Sequence, residues 1–338
     1  MTSEREGPES SAPLTIAIVT PTYNRLPLLK RLYESLSLQC DSAFVWVVVD
    51  DCSTDGTQQW LAEVTAVSRF EIAVLRNDQN KGKCASLNVA FDSINAEFYL
   101  IVDSDDRLDD GAVRTVRAKA MEYAPANDVG AVFFCYRTAG GDLLGAPGGA
   151  DNEDVVMTRA TYDESFGKYD GSVGYFRRVV ERYRYPQFGG ESYLGPTVLQ
   201  LMMAPEFSLC FTHDVVGFAE YQADGLSASG RLLRMRNPLG MMTYASLQRQ
   251  QSRSLSARLQ HAVKYHAYRR LAAGGPDCTA LGELRGGRGE RVPLLLGICL
   301  ALYWKRKYTP SSTGMSGLAA GASRTHPHKG GASWLRRR

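Results

Sequence analysis

A chain of 338 residues, 44% hydrophobic and 22% charged, can bury a large core, which excludes a disordered or low-complexity protein. Its formal charge of +3 hides a split: residues 1–230 hold 19 Lys and Arg against 33 Asp and Glu, net −14, and residues 231–338 hold 20 against 3, net +17. The seven cysteines are scattered, odd in number and never spaced CxxC, which argues against a zinc site or a disulfide framework and for a reducing compartment.

The polar start, Met1 to Ala12, has neither a basic n-region nor an apolar h-region, so a cytoplasmic protein is expected rather than a secreted one. Leu14 to Thr20 is an apolar strand, and Pro21, Asn24 and Pro27 punctuate the turn after it. Leu29, Leu32, Tyr33 and Leu36 then recur at i, i+3, i+4 and i+7, one helical stripe fit to lie on a sheet. Phe44 to Val49 is continuously apolar, as in a parallel strand covered on both faces, and ends in Asp50-Asp51. Ser53-Thr54-Asp55 offers capping side chains for a helix carrying Trp60, Leu61, Val64 and Val67, and Phe70 to Leu75 reads as the next strand. A polar loop, Asn77 to Lys83, leads into a helix with Leu87, Ala90, Phe91 and Ile94 on one face. The strand Phe98 to Val102 follows and ends in Asp103-Ser104-Asp105-Asp106.

Four strands alternating with three helices predict a doubly wound α/β sheet, whose ligands sit beyond the carboxyl ends of the strands. Thr20 to Asn24, Asp50-Asp51, Asn80 to Lys83 and Asp103 to Asp106 then share one rim. Three carboxylates within four residues call for a cation, and oxygen ligands suit Mg²⁺ or Mn²⁺ shared with substrate phosphates. An isolated acidic turn would read as solvated surface; the three companion loops argue for a site.

Further on, a helix is expected over 109–124, with Val113, Val116 and Ala120 inward, and a strand over Val129 to Tyr136. Beyond residue 150 the periodicity weakens. Tyr185 to Glu191 reads as a Gly-containing loop presenting a carboxylate, followed by a helix from Tyr193 to Met203 and a strand from Ser208 to His213. Pro238 to Arg253 and Leu255 to Leu271 read as basic helices. Val292 to Trp304 is almost wholly apolar and is followed by Lys305-Arg306-Lys307; about thirteen residues fall short of the roughly twenty that a membrane span needs. It reads as a core helix or as an interfacial segment anchored by the basic triplet.

Thr20-Pro21-Thr22-Tyr23-Asn24-Arg25, Val49 to Thr57, Asn80-Lys81-Gly82-Lys83 and Val102 to Asp106 resemble, in order and spacing, the motifs of the family 2 glycosyltransferases. Pro186 to Glu191 and Glu220 to Ser227 are similar to a bacterial branch of that family. The resemblance implies a GT-A-type, Rossmann-like, mostly parallel sheet with a helical C-terminal extension. It implies a catalytic domain over 14–235 (donor-binding half 14–136, acceptor-side half 137–235), while composition and periodicity predict a flexible 1–13, a basic helical region 236–308 and a disordered 309–338.

In function it implies a nucleotide-diphospho-sugar donor, a UDP-sugar by analogy, a Mg²⁺ or Mn²⁺ ion, and inversion at the anomeric carbon. The acceptor would be a glycan or lipid-linked hydroxyl in cell-surface assembly. The expected donor set is Thr20, Pro21, Asn24, Asp50, Asp51, Asn80, Lys81, Lys83 and Asp103. Asp105 and Asp103 are the expected metal ligands, with Asp106 supporting them or touching the sugar. Glu191 is the expected base, since inversion needs a proton acceptor opposite the leaving group. Tyr221 and Asp224 are acceptor-side candidates. Three departures stand out: Cys52 where Gly is common, Cys84 where His is frequent, and Gly195-Pro196 where a second acidic residue often follows the Gly-Glu pair. No specific nucleic-acid partner is expected, and peripheral contact with the inner face of the cell membrane is assigned to the basic C-terminal region.

Two other readings compete. A haloacid-dehalogenase-like phosphatase also uses Asp-x-Asp, but on its first strand. A non-catalytic sugar-nucleotide-binding subunit would keep the donor pocket and lack a competent base.

Overall fold

The computed structural model describes residues 14–138, 140–144, 148, 153–167, 170–219, 230–273 and 291–308. The strands β1 (Ile16–Thr22), β2 (Phe44–Asp50), β3 (Glu71–Arg76) and β4 (Phe98–Ile101) form the parallel half of one mixed sheet, in the order β3-β2-β1-β4. Alternate residues feed opposite cores, as the period of a strand requires. Ile16, Ile18, Trp46, Val48 and Leu100 face one layer with α1 (Leu26–Ser37), α2 (Thr57–Thr65) and α4 (Ala112–Tyr123). Ala17, Val19, Val47, Val49 and Ile101 face the other with α3 (Lys83–Ser93). The expected inward residues of α1, α3 and α4 are buried except Tyr33 and Ile94, which are half-buried at the edges of the two cores, and Val67 is 77% exposed because α2 ends two residues before it.

The second half of the sheet departs from simple alternation. Between β4 and β6 (Val129–Arg137) lies β8 (Gly171–Phe176), antiparallel to both. Its Gly174 lets the ring of Phe98 lie against the strand, where a Cβ would stand 2.1 Å from that ring. β9 (Ser208–Phe218) runs parallel to β6 and extends five residues past the expected end at His213, pairing β5 (Arg107–Leu108) and β7 (Val155–Met157). Short helices α5 (Arg159–Phe166), α6 (Arg177–Val180) and α7 (Val198–Met203) complete this half. The helix expected from Tyr193 is thus only α7, since Pro196 disfavours helix at the residue before it and Asn237 holds the amides of Ser192 and Tyr193 (2.9 and 3.0 Å) in a loop.

Among the described residues four C-terminal helices follow: α8 (Gly230–Arg236), α9 (Pro238–Gln251), α10 (Leu255–Ala272) and α11 (Arg291–Tyr308). They share a third core of Met241, Met242, Ala267, Tyr268, Ala301 and Trp304. No helix among the described residues is long and apolar enough to cross a membrane. Residues 1–13 and 309–338, expected to be flexible, lie outside the described residues, as do Tyr221 and Asp224.

Thr20 is fully buried, and its hydroxyl accepts the indole N–H of Trp46 at 3.0 Å. A buried donor left without its acceptor costs about 1–3 kcal/mol. Thr20→Val, which keeps the shape and removes the acceptor, is expected to lower stability by about that amount in urea unfolding.

Candidate active site

The predicted rim forms, but its residues divide into those that build it and those that face its cavity. Asp50 and Asp51 are 1% and 4% exposed, and their oxygens are spent within the protein. Asp50 accepts from the Ser53 amide (2.8 Å) and pairs with Arg76 (2.9 Å). Asp51 accepts from Asn77 Nδ2 (2.7 Å) and from the backbone amides of Lys81 (2.9 Å) and Gly82 (2.7 Å). This bracing folds the Asn77-to-Lys83 loop back over the end of β2, an arrangement suited to an acceptor-only ionised carboxylate. Asn24, in the left-handed region at φ 50°, does similar work: its amide donates to Ser53 Oγ (2.9 Å) and its Oδ1 accepts from the Thr54 amide (2.8 Å). Pro21 is buried within β1, Asn80 is exposed, and the Lys81 ammonium pairs with Asp78 at 2.6 Å.

Lys83, Asp103 and Asp106 line a cavity of about 350 Å³, within the usual size range for small-ligand sites. Lys83 reaches across from the start of α3 to both oxygens of Asp103 (2.5 and 2.6 Å). Burial alone would lower the Lys83 pKa, but the Asp103 charge outweighs it and the net shift is upward. Asp106 moves the other way from a normal carboxylate: burial first, then repulsion by Asp103 and Asp105, raise its pKa well above the usual range. Asp105 pairs instead with Arg25 at 2.5 Å. Cys84, beside Lys83, is no thiolate; burial pushes its thiol up to about 12, and its Sγ lies 3.2 Å from the carbonyl of Leu194.

The far wall is the segment from Tyr185 to Thr197. Asn88 of α3 clamps Tyr185 through both backbone groups (2.8 and 3.0 Å), and Ser192 and Leu194 line the cavity. Gly82 (φ +87°) fits against this wall so closely that a Cβ there would stand 1.7 Å from the carbonyl oxygen of Ser192. Glu191 lies in the same segment but turns toward α9, whose first amides it caps: Oε1 accepts from Leu239 N (2.7 Å) and Oε2 from Gly240 N (2.8 Å). Burial raises its pKa against the lowering effect of those amides.

Two cationic lining residues escaped the sequence reading. Arg159, 4% exposed, pairs with Asp163 (2.8 Å) and lies 3.3 Å from Gln200, and Arg234 comes from α8. The available signal for Arg159 was its i,i+4 spacing to Asp163 in a stretch otherwise without clear period.

The carboxylates suit a hard divalent ion by donor type. Among the described residues no three His, Cys, Asp or Glu side chains gather into a ready-made cage. That fits an ion held by one or two carboxylates and completed by substrate phosphates.

Residues 17–184, which include every rim segment, match glycosyl transferase family 2. The chain carries a family 2 glycosyl transferase domain. Its curated relatives include an uncharacterized glycosyltransferase of Haemophilus influenzae, 34% identical over 91 residues (27% of this chain, 29% of that protein). The poly(ribitol-phosphate) β-N-acetylglucosaminyltransferase TarS of Staphylococcus aureus is 32% identical over 112 residues (32% and 19%). A GalNAc(5)-diNAcBac-PP-undecaprenol β-1,3-glucosyltransferase of Campylobacter jejuni is 28% identical over 107 residues (32% and 35%). The matched stretch spans 19 to 35% of these relatives' lengths.

Among solved structures, S. aureus TarS 1–349 with UDP-GlcNAc superposes at a TM-score of 0.58 (17% identity, 84% of this chain and 79% of that one). The Pyrobaculum calidifontis mannosyltransferase with GDP-Man and Mn²⁺ gives 0.52 (20% identity, 88% and 85%). These likenesses establish the GT-A fold for the family 2 domain.

In that domain the contact between Gly82 and the Ser192 wall closes the cavity. Gly82→Ala must move the wall or strain the loop, at a cost of about 1–3 kcal/mol. The expected readout is faster hydrogen exchange at the amides of Ser192 and Tyr193, with α1 and β1 unaffected.

Proposed function

We propose that this chain transfers a sugar from a nucleotide-diphospho-sugar, a UDP-sugar foremost, to an acceptor hydroxyl with inversion at the anomeric carbon, in cell-surface polysaccharide or glycoconjugate assembly. The observation that carries the reading is the meeting of Lys83, Asp103 and Asp106 in one cavity at the end of β4. The glycosyl-transferring relatives and the nucleotide-sugar complexes of the two fold neighbours support it.

In this reading Lys83 binds a donor phosphate as a point charge, exchanging part of its pairing with Asp103 for the ligand. Asp105 and Asp103 would hold the divalent ion, which when bound supplies positive charge to the departing diphosphate. Asp106 faces the same cavity, where it can accept a sugar hydroxyl. Arg159 and Arg234 supply donors on the other walls. Asp50, Asp51 and Asn24 act by shaping the loops that present these groups. Tyr221 and Asp224 remain the proposed acceptor contacts.

Glu191 is the proposed base. To take the acceptor proton it must release at least one amide of α9, a motion of a loop that contains Gly189 and Gly190. The capping itself favours a second reading: a sugar-nucleotide-binding subunit whose Glu191 only fastens the C-terminal helices. The phosphatase reading has no such support, because its Asp-x-Asp belongs on the first strand and here follows the fourth.

Incubation with a panel of nucleotide-sugars, Mn²⁺ or Mg²⁺ and candidate acceptors is expected to release nucleoside diphosphate and form an inverted product. Asp105→Ala is expected to lower turnover at least about a hundredfold and to abolish metal-dependent donor binding. Turnover unchanged in that variant would remove the metal assignment.

Glu191→Gln separates the two roles of that residue. As base, it is expected to lower kcat by about 10²–10⁴-fold with KM for donor little changed. A cap alone would instead yield lower thermal stability and near-normal kcat in the folded fraction. Metal-dependent donor binding without turnover on any acceptor would establish the subunit reading.

A further inference from the structure

Helix α11 leaves most of its apolar surface uncovered. From Val292 to Tyr303 it carries no charged side chain. A single stripe, Pro293, Gly297, Ala301 and Trp304, is buried against the other C-terminal helices. On the opposite side Val292, Leu295, Leu296, Leu302 and Tyr303 are 49 to 64% exposed, and exposed Cys299 lies among them. At 3.6 residues per turn these six positions fall within an arc of roughly 120°, one continuous face. A contiguous exposed apolar face of this kind marks an interaction surface.

The charge around it narrows the partner. Arg291 at one end of the helix and Lys305, Arg306 and Lys307 at the other are all exposed. Residues 230–272 and 291–308 together contain thirteen Lys and Arg and no Asp or Glu. A symmetric contact with the same face of a second copy would set these cations against each other. The chain beyond residue 308 cannot neutralise them either, because residues 309–338 contain five Lys and Arg and no acid. An anionic lipid surface supplies both things the face lacks: apolar depth and negative charge.

We propose that α11 seats the protein on an anionic bilayer, lying in the plane of the interface. The twelve-residue apolar run is about 18 Å long as helix, too short for the ~30 Å hydrocarbon core and suited to lying flat. Its leucines enter the acyl boundary, Tyr303 sits at headgroup depth, and the terminal lysines and arginines contact lipid phosphates. The inference rests on the C-terminal helices alone and stands whether or not the donor-site reading holds.

The test is co-sedimentation of the full chain with phosphatidylcholine vesicles with or without about one-third phosphatidylglycerol, in about 0.1 M and about 0.5 M NaCl. Binding is expected to the anionic vesicles at low salt, to fall at high salt, and to be weak on phosphatidylcholine alone. Leu295→Asp with Leu302→Asp is expected to weaken it at least about tenfold, with helix content by circular dichroism and thermal midpoint unchanged, since both side chains are already exposed. The triple variant Lys305→Gln, Arg306→Gln, Lys307→Gln is expected to weaken it about a hundredfold and leaves the apolar face intact. The proposal is overturned by no binding at low salt, or by binding that neither variant reduces. It is also overturned if analytical ultracentrifugation shows a dimer that Leu295→Asp with Leu302→Asp converts to monomer, which would assign the face to a second copy.

Discussion

Three carboxylates at the end of one short strand coexist only because cations from two other segments reach them. Lys83 comes from the start of α3 to Asp103, and Arg25 comes from the turn after β1 to Asp105. Asp106 is buried beside both, and burial, with the repulsion of Asp103 and Asp105 added to it, raises its pKa. The surrounding loops are arranged to deliver those two cations. Asp51 fixes the loop that ends at Lys83, and Asn24, Ser53 and Thr54 fix the turn that presents Arg25. Buried polar networks of this kind are stable only when their members are satisfied, which explains why so many rim side chains are committed to one another.

That commitment also marks the limit of what the sequence disclosed. The parallel half of the sheet was legible because continuous apolar runs and helical stripes are strong local signals, and β1 to β4 with α1, α3 and α4 fell where expected. β8 was not, since Gly171 and Gly174 lower its strand propensity and its place depends on Phe98, more than seventy residues earlier. At the candidate site, the residue types pointed to one rim but could not distinguish a carboxylate that faces the cavity from one that braces a loop. Asp50 ends β2 and Asp103 follows β4 by two residues; their hydrogen bonds separate them. Arg159 was missed for the complementary reason: it is a buried charge in a segment whose one signal is the i,i+4 spacing to Asp163.

The C-terminal helices are attached to the family 2 domain through polar contacts as well as apolar ones. Glu191 caps α9 while Asn237, just before that helix, takes the amides of Ser192 and Tyr193. The cap uses a negative group at a helix N-terminus, where the dipole favours it. The cavity wall and the helical extension are therefore one mechanical unit, with a carboxylate at the joint.

The close approach of Gly82 to the Ser192 wall has a consequence for biosynthesis. The two sides of the cavity are separated by more than a hundred residues of chain, and the wall is itself tied to Asn237, Leu239 and Gly240. A nascent chain emerging N-terminus first can close β1 to β4 early and hold the Tyr185 end of the wall through Asn88, but Glu191 and the amides of Ser192 and Tyr193 gain their partners only once α9 has left the ribosome. Until then the Glu191 stretch of the wall lacks its polar partners, so this side of the cavity is completed after the parallel sheet.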